Sequence, residues 1–340
     1  MGDQGLISPA GPASPPYRNG PYSWDQPISF SAGISGSNTK GNIRYVDGTS
    51  GSDSASGKGW GHAFATIQAG VTAAGANGIV YVAPIEMAAG ATDPGSYEEN
   101  IVIPATHESL SIIGIGTGRT QGGLPQLKDG DSTDEHILTI RAPGCLIANL
   151  GFNGSGNTAG GILLDDDAST KSAFGTTIVG CHFKNCKGST ATNAATGGAI
   201  CWAATGGAWQ VLISGNRFNK NVGDIVLLGT TSSRPQDVVI ENNIFSGPAA
   251  SVDCNLYLKG GSGMDGVYII NNHFPCDPAL SSGTNTVSCD LTGCVGTYAR
   301  NTHGHTGLTL GDGTVTGGVI PATVFMIENY QEDAIITRTS

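Results

Sequence analysis

The sequence predicts an all-β chain: a right-handed parallel β-helix, or solenoid, with an N-terminal capping helix and an extended N-terminal arm. Three observations lead there. A phrase returns five times, as CLIANLGF (Cys145 to Phe152), TIVGCHF (Thr177 to Phe183), VLISGNRF (Val211 to Phe218), VVIENNIF (Val238 to Phe245) and VYIINNHF (Val267 to Phe274). Its Phe-to-Phe steps are about 31, 35, 27 and 29 residues, within the window of repeat architectures. Between the copies sits a second apolar run, at Gly160 to Leu164 and near Ile200, Val226 and Leu256. Finally, 53 of 340 residues are Gly and only 13% are charged, roughly double and half the usual shares, which suits many tight turns.

One unit is therefore two or three short strands joined by polar turns. Such strands cannot bury a face alone, so successive coils must stack in register. Asn at the bend (Asn149, Asn216, Asn242, Asn271) tolerates a left-handed backbone, and identical Asn side chains can hydrogen-bond from coil to coil. Phe at a fixed place predicts an internal aromatic stack. A β-propeller is the rival reading, but its blades run to about 40 residues or more and carry a recurring Trp-Asp signature that these repeats lack.

Taken in order, residues 1–40 form an arm, with six prolines from Pro9 to Pro27 among Gly and Ser. Proline holds an extended backbone without an amide donor, and Tyr17, Tyr22, Trp24 and Phe30 give the arm aromatic surface for a partner. Residues 41–78 form a cap: a strand at Ile43 to Val46, a Gly/Ser/Asp loop, then a helix over Ala63 to Ala74, stopped by Gly75 and Asn77-Gly78. A helix there shields the open end of the first coil. Residues 79–275 form the β-helix, opening with strands at Ile79 to Ala83, Ile101 to Ile103, Leu110 to Ile115 and Ile137 to Ile140. Residues 276–340 form a C-terminal cap or oligomerisation segment, with Phe325, Met326, Ile327 and Tyr330 crowded into one window.

The run Tyr45-Val46-Asp47-Gly48, then Ala63 to Ala69, Ile79 to Ala83, Tyr97 to Ile101 and Leu110 to Gly114 resembles the opening of pectin-lyase-like right-handed β-helix proteins. With the later repeats the resemblance spans Asn42 to Phe274. It implies the fold; surface proteins, polysaccharide-active enzymes and phage virion proteins all share this opening, so activity does not follow from it.

A net charge of −11 argues against nucleic acid or an anionic membrane as partner. No apolar run approaches the ~18 residues of a membrane span, and the opening residues carry no charged-then-apolar leader pattern. Cys145, Cys181, Cys201 and Cys254 lie in or beside apolar runs as buried thiols, while Cys289 and Cys294 are a candidate loop staple. Nothing calls for a cofactor. The candidate catalytic residues are Asp165, Asp167 and Glu241. Asp165-Asp166-Asp167 follows a strand, where an acidic triplet binds calcium, lines a sugar cleft or forms a solvated turn; alternation puts Asp165 and Asp167 on one face. A glycosidase needs two facing carboxylates about 5 to 9.5 Å apart, and Glu241, Asp237 and Asp224 border strands. His303 and His305, two apart, are candidate metal ligands if three chains meet on an axis.

Lyase site motifs find no match residue by residue, so the sequence favours a structural role over catalysis. The expectation is a bacteriophage virion protein made in the host cytoplasm and carried on the virion surface. It is expected to be a homotrimer bound to other virion proteins through its arm, as a capsid decoration, cement or head-fibre protein. The alternatives are a phage tailspike or a carbohydrate-active lyase or hydrolase, with a host glycan as a further candidate partner.

Overall fold

The computed structural model describes residues 41–87, 89, 95–116, 123–130, 136–154, 160–167, 172–186, 198–202, 209–227, 235–246, 255–258, 264–275, 287–304, 309–311, 317–331, 334–336 and 338–339. The arm residues Tyr17, Tyr22, Trp24 and Phe30, together with Cys254 and His305, lie outside them.

Coil after coil, the chain visits three ten-stranded sheets in turn. The first sheet runs from Ile43–Val46 to Val324–Ile327, and the second begins at Ser96–Glu98. The third begins at Ile101–Ile103. Among the described strands every pairing is parallel except Asn329–Gln331 with Ala334–Ile336. The chain is thus a right-handed parallel β-helix. Strands of two to six residues give each coil inward side chains that stack on the same position one coil away. In the first sheet this makes an aliphatic file through Val80, Ile112, Ile147, Ile178, Ile213, Ile240 and Ile269, all buried.

In the second sheet the expected aromatic stack is present. Phe152, Phe183, Phe218, Phe245 and Phe274 are fully buried, with ring centroids 4.7 to 5.0 Å apart and planes within 11°. That spacing is the strand spacing itself, so each ring adds stacking to burial without leaving its rung.

The helix is shorter than predicted, Ile67–Ala74. Phe64 bridges in parallel to Val46, and the Asp53 carboxylate accepts from the Ala65 and Thr66 amides. Ala63 to Thr66 is thereby held out of helical geometry. Thr66 caps the helix by accepting from the Ala69 amide, and Gly75, at φ 69°, ends it. The helix buries Ile67, Val71 and Ala74. Its Gln68 amide bonds both the N–H and the C=O of Val102, so a side chain stands in for the missing neighbour of the third sheet's first strand, blunting an exposed edge. Glu99 completes the cap by accepting from the Ile67 and Gln68 amides.

Candidate functional site

The corner between the first and second sheets separates two jobs that the sequence reading merged. One position takes the left-handed backbone: Asn149, Gly180, Gly215, Asn242, Asn271, Arg300 and Glu328 all have φ between 47° and 65°. The next position carries the ladder, Asn216, Asn243, Asn272, Asn301 and Asn329, each at most 1% exposed. Asn216 therefore belongs to the ladder and not to the bend, where Gly215 stands. Each Nδ2 from Asn216 to Asn301 donates to the Oδ1 one coil on, at 3.0 to 3.2 Å. The same oxygen accepts the neighbour's backbone N–H. Nδ2 also donates back to a strand carbonyl, as Asn243 does to Ile213. Both side-chain polar atoms of each ladder Asn are bonded, which is why a polar file survives in the core.

A second polar group lies at the corner between the second and third sheets. The Asn221 Oδ1 accepts from the Cys186 amide. Its Nδ2 donates to Asp224 at 2.8 Å, and Asn255 donates to the other Asp224 oxygen at 2.7 Å. Burial pushes the Asp224 carboxyl up to about 7, against the lowering effect of the Asn255 and Asn221 hydrogen bonds.

The carboxylates singled out from sequence are not brought together. Asp165, at the end of the third-sheet strand Ile162–Leu164, pairs at 2.8 Å with the Arg141 guanidinium one coil back. Asp166 bridges to Ser172, and Asp167 is exposed. Glu241 ends the first-sheet strand Gln236–Glu241 and accepts from Ser214 one coil back at 3.2 Å. Asp237 is exposed on the same strand, whereas Asp224 is inside. Asp165 thus follows a third-sheet strand, Glu241 ends a first-sheet strand, and Asp224 is sealed in the core. Among the described residues no group of three His, Cys, Asp or Glu could hold a metal ion.

His303 is corrected from candidate ligand to core residue. It takes the sixth place of the aromatic stack, 4.8 Å from Phe274, and lies 2.8 Å from the Tyr298 hydroxyl. Burial, with His273 adding, lowers it to about 4, so it is a neutral aromatic ring. Cys289 and Cys294 are free, buried thiols and not a staple; Cys294 donates to the Leu258 carbonyl at 3.1 Å. Cys145, Cys181 and Cys201 are buried thiols as expected. At the C-terminal end Phe325 is 74% exposed and Ile327 45%. Met326 packs against the core, and Tyr330 stands on the second sheet.

Sequence reasoning placed Asp224 at a strand border but missed its burial between Asn221 and Asn255, and it missed the division of labour at the Asn corner. The signal for the latter was present in the Asn-Asn pairs at 242–243 and 271–272, which place one residue in each job. Asp224 carried no such mark, because its partners Asn221 and Asn255 recur at no fixed spacing.

No protein-family model and no curated protein sequence matches this chain. Among solved structures it is similar to an alginate lyase from a Paenibacillus species, at 13% identity and a TM-score of 0.51, over 88% of this chain and 98% of that one. It is similar at 14% identity to the ORF18 protein of Geobacillus virus E2, with a TM-score of 0.33 over 75% of this chain and 53% of that one. A pectin methylesterase of Erwinia chrysanthemi matches at 10% identity and a TM-score of 0.39, over 87% and 92%. The alginate lyase likeness shows a shared pectin-lyase-like β-helix fold; at that identity it shows the fold alone.

Proposed function

We propose that this chain is a structural bacteriophage virion protein: a homotrimeric β-helix attached to other virion proteins through its Pro/aromatic arm and displayed on the virion surface, as a capsid decoration or head-fibre protein. The observation that supports this reading is the use made of the polar side chains. The Asn ladder, Asp165 with Arg141, and Glu241 with Ser214 all tie one coil to the next. Two of the three candidate catalytic carboxylates, Asp165 and Glu241, are engaged in such cohesion, one at the third sheet and one on the first. Immunogold labelling of particles from a culture carrying the gene tests it: labelled virions are expected, and labelling should disappear when residues 1–40 are deleted. Particles that stay unlabelled with the full chain overturn the reading.

The rival is a carbohydrate-active enzyme or tailspike. Alginate is the first polymer to try, given the lyase named above. New reducing ends or unsaturated uronates in an alginate digest would move the assignment to that class.

A further inference from the structure

We propose that the outward face of the first sheet is an interface with further copies of this chain. This rests on the homo-oligomeric part of the reading above and assigns it a surface. Two outward columns run the length of the sheet. One passes through Ile79, Leu146, Leu212, Val239, Tyr268 and Phe325. The other passes through Tyr81, Ile113, Val179, Ile270 and Ile327 by the same pairings. From Ile43 and Tyr45 to Phe325 and Ile327 only Ser111, Thr177, Ser214, Glu241 and Thr297 interrupt the apolar run, and Glu241 is its one charge. Tyr268 is 41% exposed, and Trp60, itself exposed, extends the face by packing on Tyr45 at 4.8 Å.

The molecule supplies its own control. The outward positions of the second sheet are mostly polar, among them Lys128, Asn153, Lys184, Arg217 and Asn219, with Ile244 and Tyr330 the apolar exceptions, close to the polar surface expected where a sheet meets water. Apolar side chains on one outward face and polar ones on the other, in the same coils, mark the first as a surface to be covered.

The occupant follows from charge and pitch. The chain carries −11, so two copies meet most readily where charge is sparse, and the two columns hold Glu241 as their one charge, with Asp237 and Asp265 exposed near the starts of two of the strands. Ten rungs at about 4.8 Å make a strip roughly 45 Å long, and a ladder of that pitch is matched rung for rung by another such ladder packed face to face. A width of about 10 to 15 Å gives a flat footprint on the order of 500 Å², before side-chain relief, against about 800 Å² per partner in a standard interface.

Light scattering on the full chain, with Val239→Arg combined with Tyr268→Arg, tests the face on rungs remote from Phe325. The wild type is expected to show a multiple of the 34.5 kDa chain mass, and the double variant that single mass with an unchanged circular dichroism spectrum. Arg217→Glu, on the second sheet, should leave the multimer intact. A wild-type mass of one chain at micromolar concentration, or a folded double variant that keeps the multimer, overturns the proposal. Should the double variant fail to fold, Thr297→Cys in the same column reads the same contact. An interchain disulfide on mild oxidation supports it, and its absence overturns it. A one-chain mass leaves arm-dependent labelling of particles standing, whereas lost labelling with an intact multimer does the reverse.

Discussion

At the corner between the first and second sheets, identical asparagines pass hydrogen bonds from coil to coil, and none carries charge. At the corner between the second and third sheets, Cys186, Asn221, Asp224 and Asn255 do the corresponding work with mixed chemistry, and an ionisable carboxyl is sealed inside. The comparison teaches what repetition is for. When every coil presents the same amide, each donor meets an acceptor of matching reach. When the residues differ, the coils still close, but stability becomes conditional on a proton.

Breaking the regular corner should have the larger effect. Asn272→Ala removes the acceptor of both the Asn243 backbone and side-chain amides and the donor to Ile240. With three buried groups stranded, a loss of about 5 kcal/mol is expected from the cost of unsatisfied polar atoms. Urea unfolding measures it, and a loss below about 1 kcal/mol would show that the ladder is ornamental.

The irregular corner is sharpened by pH. The Asp224 pKa, about 7 when folded against 3.8 for the free group, means that the folded state holds this proton more tightly than the unfolded chain. Its stabilising contribution is therefore complete below about pH 4 and is lost as pH rises through about 7, by up to about 4 kcal/mol. Buried His136, His182 and His303, lowered to about 4, act with the opposite sign between about pH 4 and 6.5, so the Asp224 contribution is read as the difference between the urea midpoints of the wild type and Asp224→Asn. The wild type should lose stability relative to Asp224→Asn as pH rises from 4 to 8, since an amide at 224 carries no titrating proton and can donate to Asn255 once the Asn255 side chain turns over. A difference independent of pH in this range contradicts the assignment.

The smallest effect belongs to the stack that joins the two corners. His303→Phe restores the repeat, keeps the ring on Phe274 and costs the Tyr298 hydroxyl one partner. A change within about 1 kcal/mol is expected by thermal unfolding. A collapse of several kcal/mol would mean that the imidazole is required for more than its shape.

What was legible in the sequence was whatever recurs. Phe at one place in five copies gave the stack, while the exact register of one coil on the next was left to the structure. The αL bend and the ladder were seen but fused, because Asn serves both and Gly215-Asn216 was read as if Asn took the bend. Pairings between coils were not legible. Arg141 finds Asp165 twenty-four residues later only because the third sheet sets Ile140 beside Leu164, and coil lengths that vary hide such matches. The same blindness let His303 pass for a ligand. One Phe-to-His change removed it from the visible repeat while leaving it on the same rung.

The Asn ladder also has a direction. Its backbone and side-chain amides donate from one coil to the Oδ1 of the coil that follows in sequence, from Cys181 onto Asn216 and so on to Asn301 onto Asn329. A coil newly emerged from the ribosome therefore lacks its acceptors until the next coil is made, so ordering lags synthesis by one turn. The backbone amide at each ladder position takes its acceptor from the successor, while the side-chain Nδ2 also reaches back to a strand carbonyl of the predecessor.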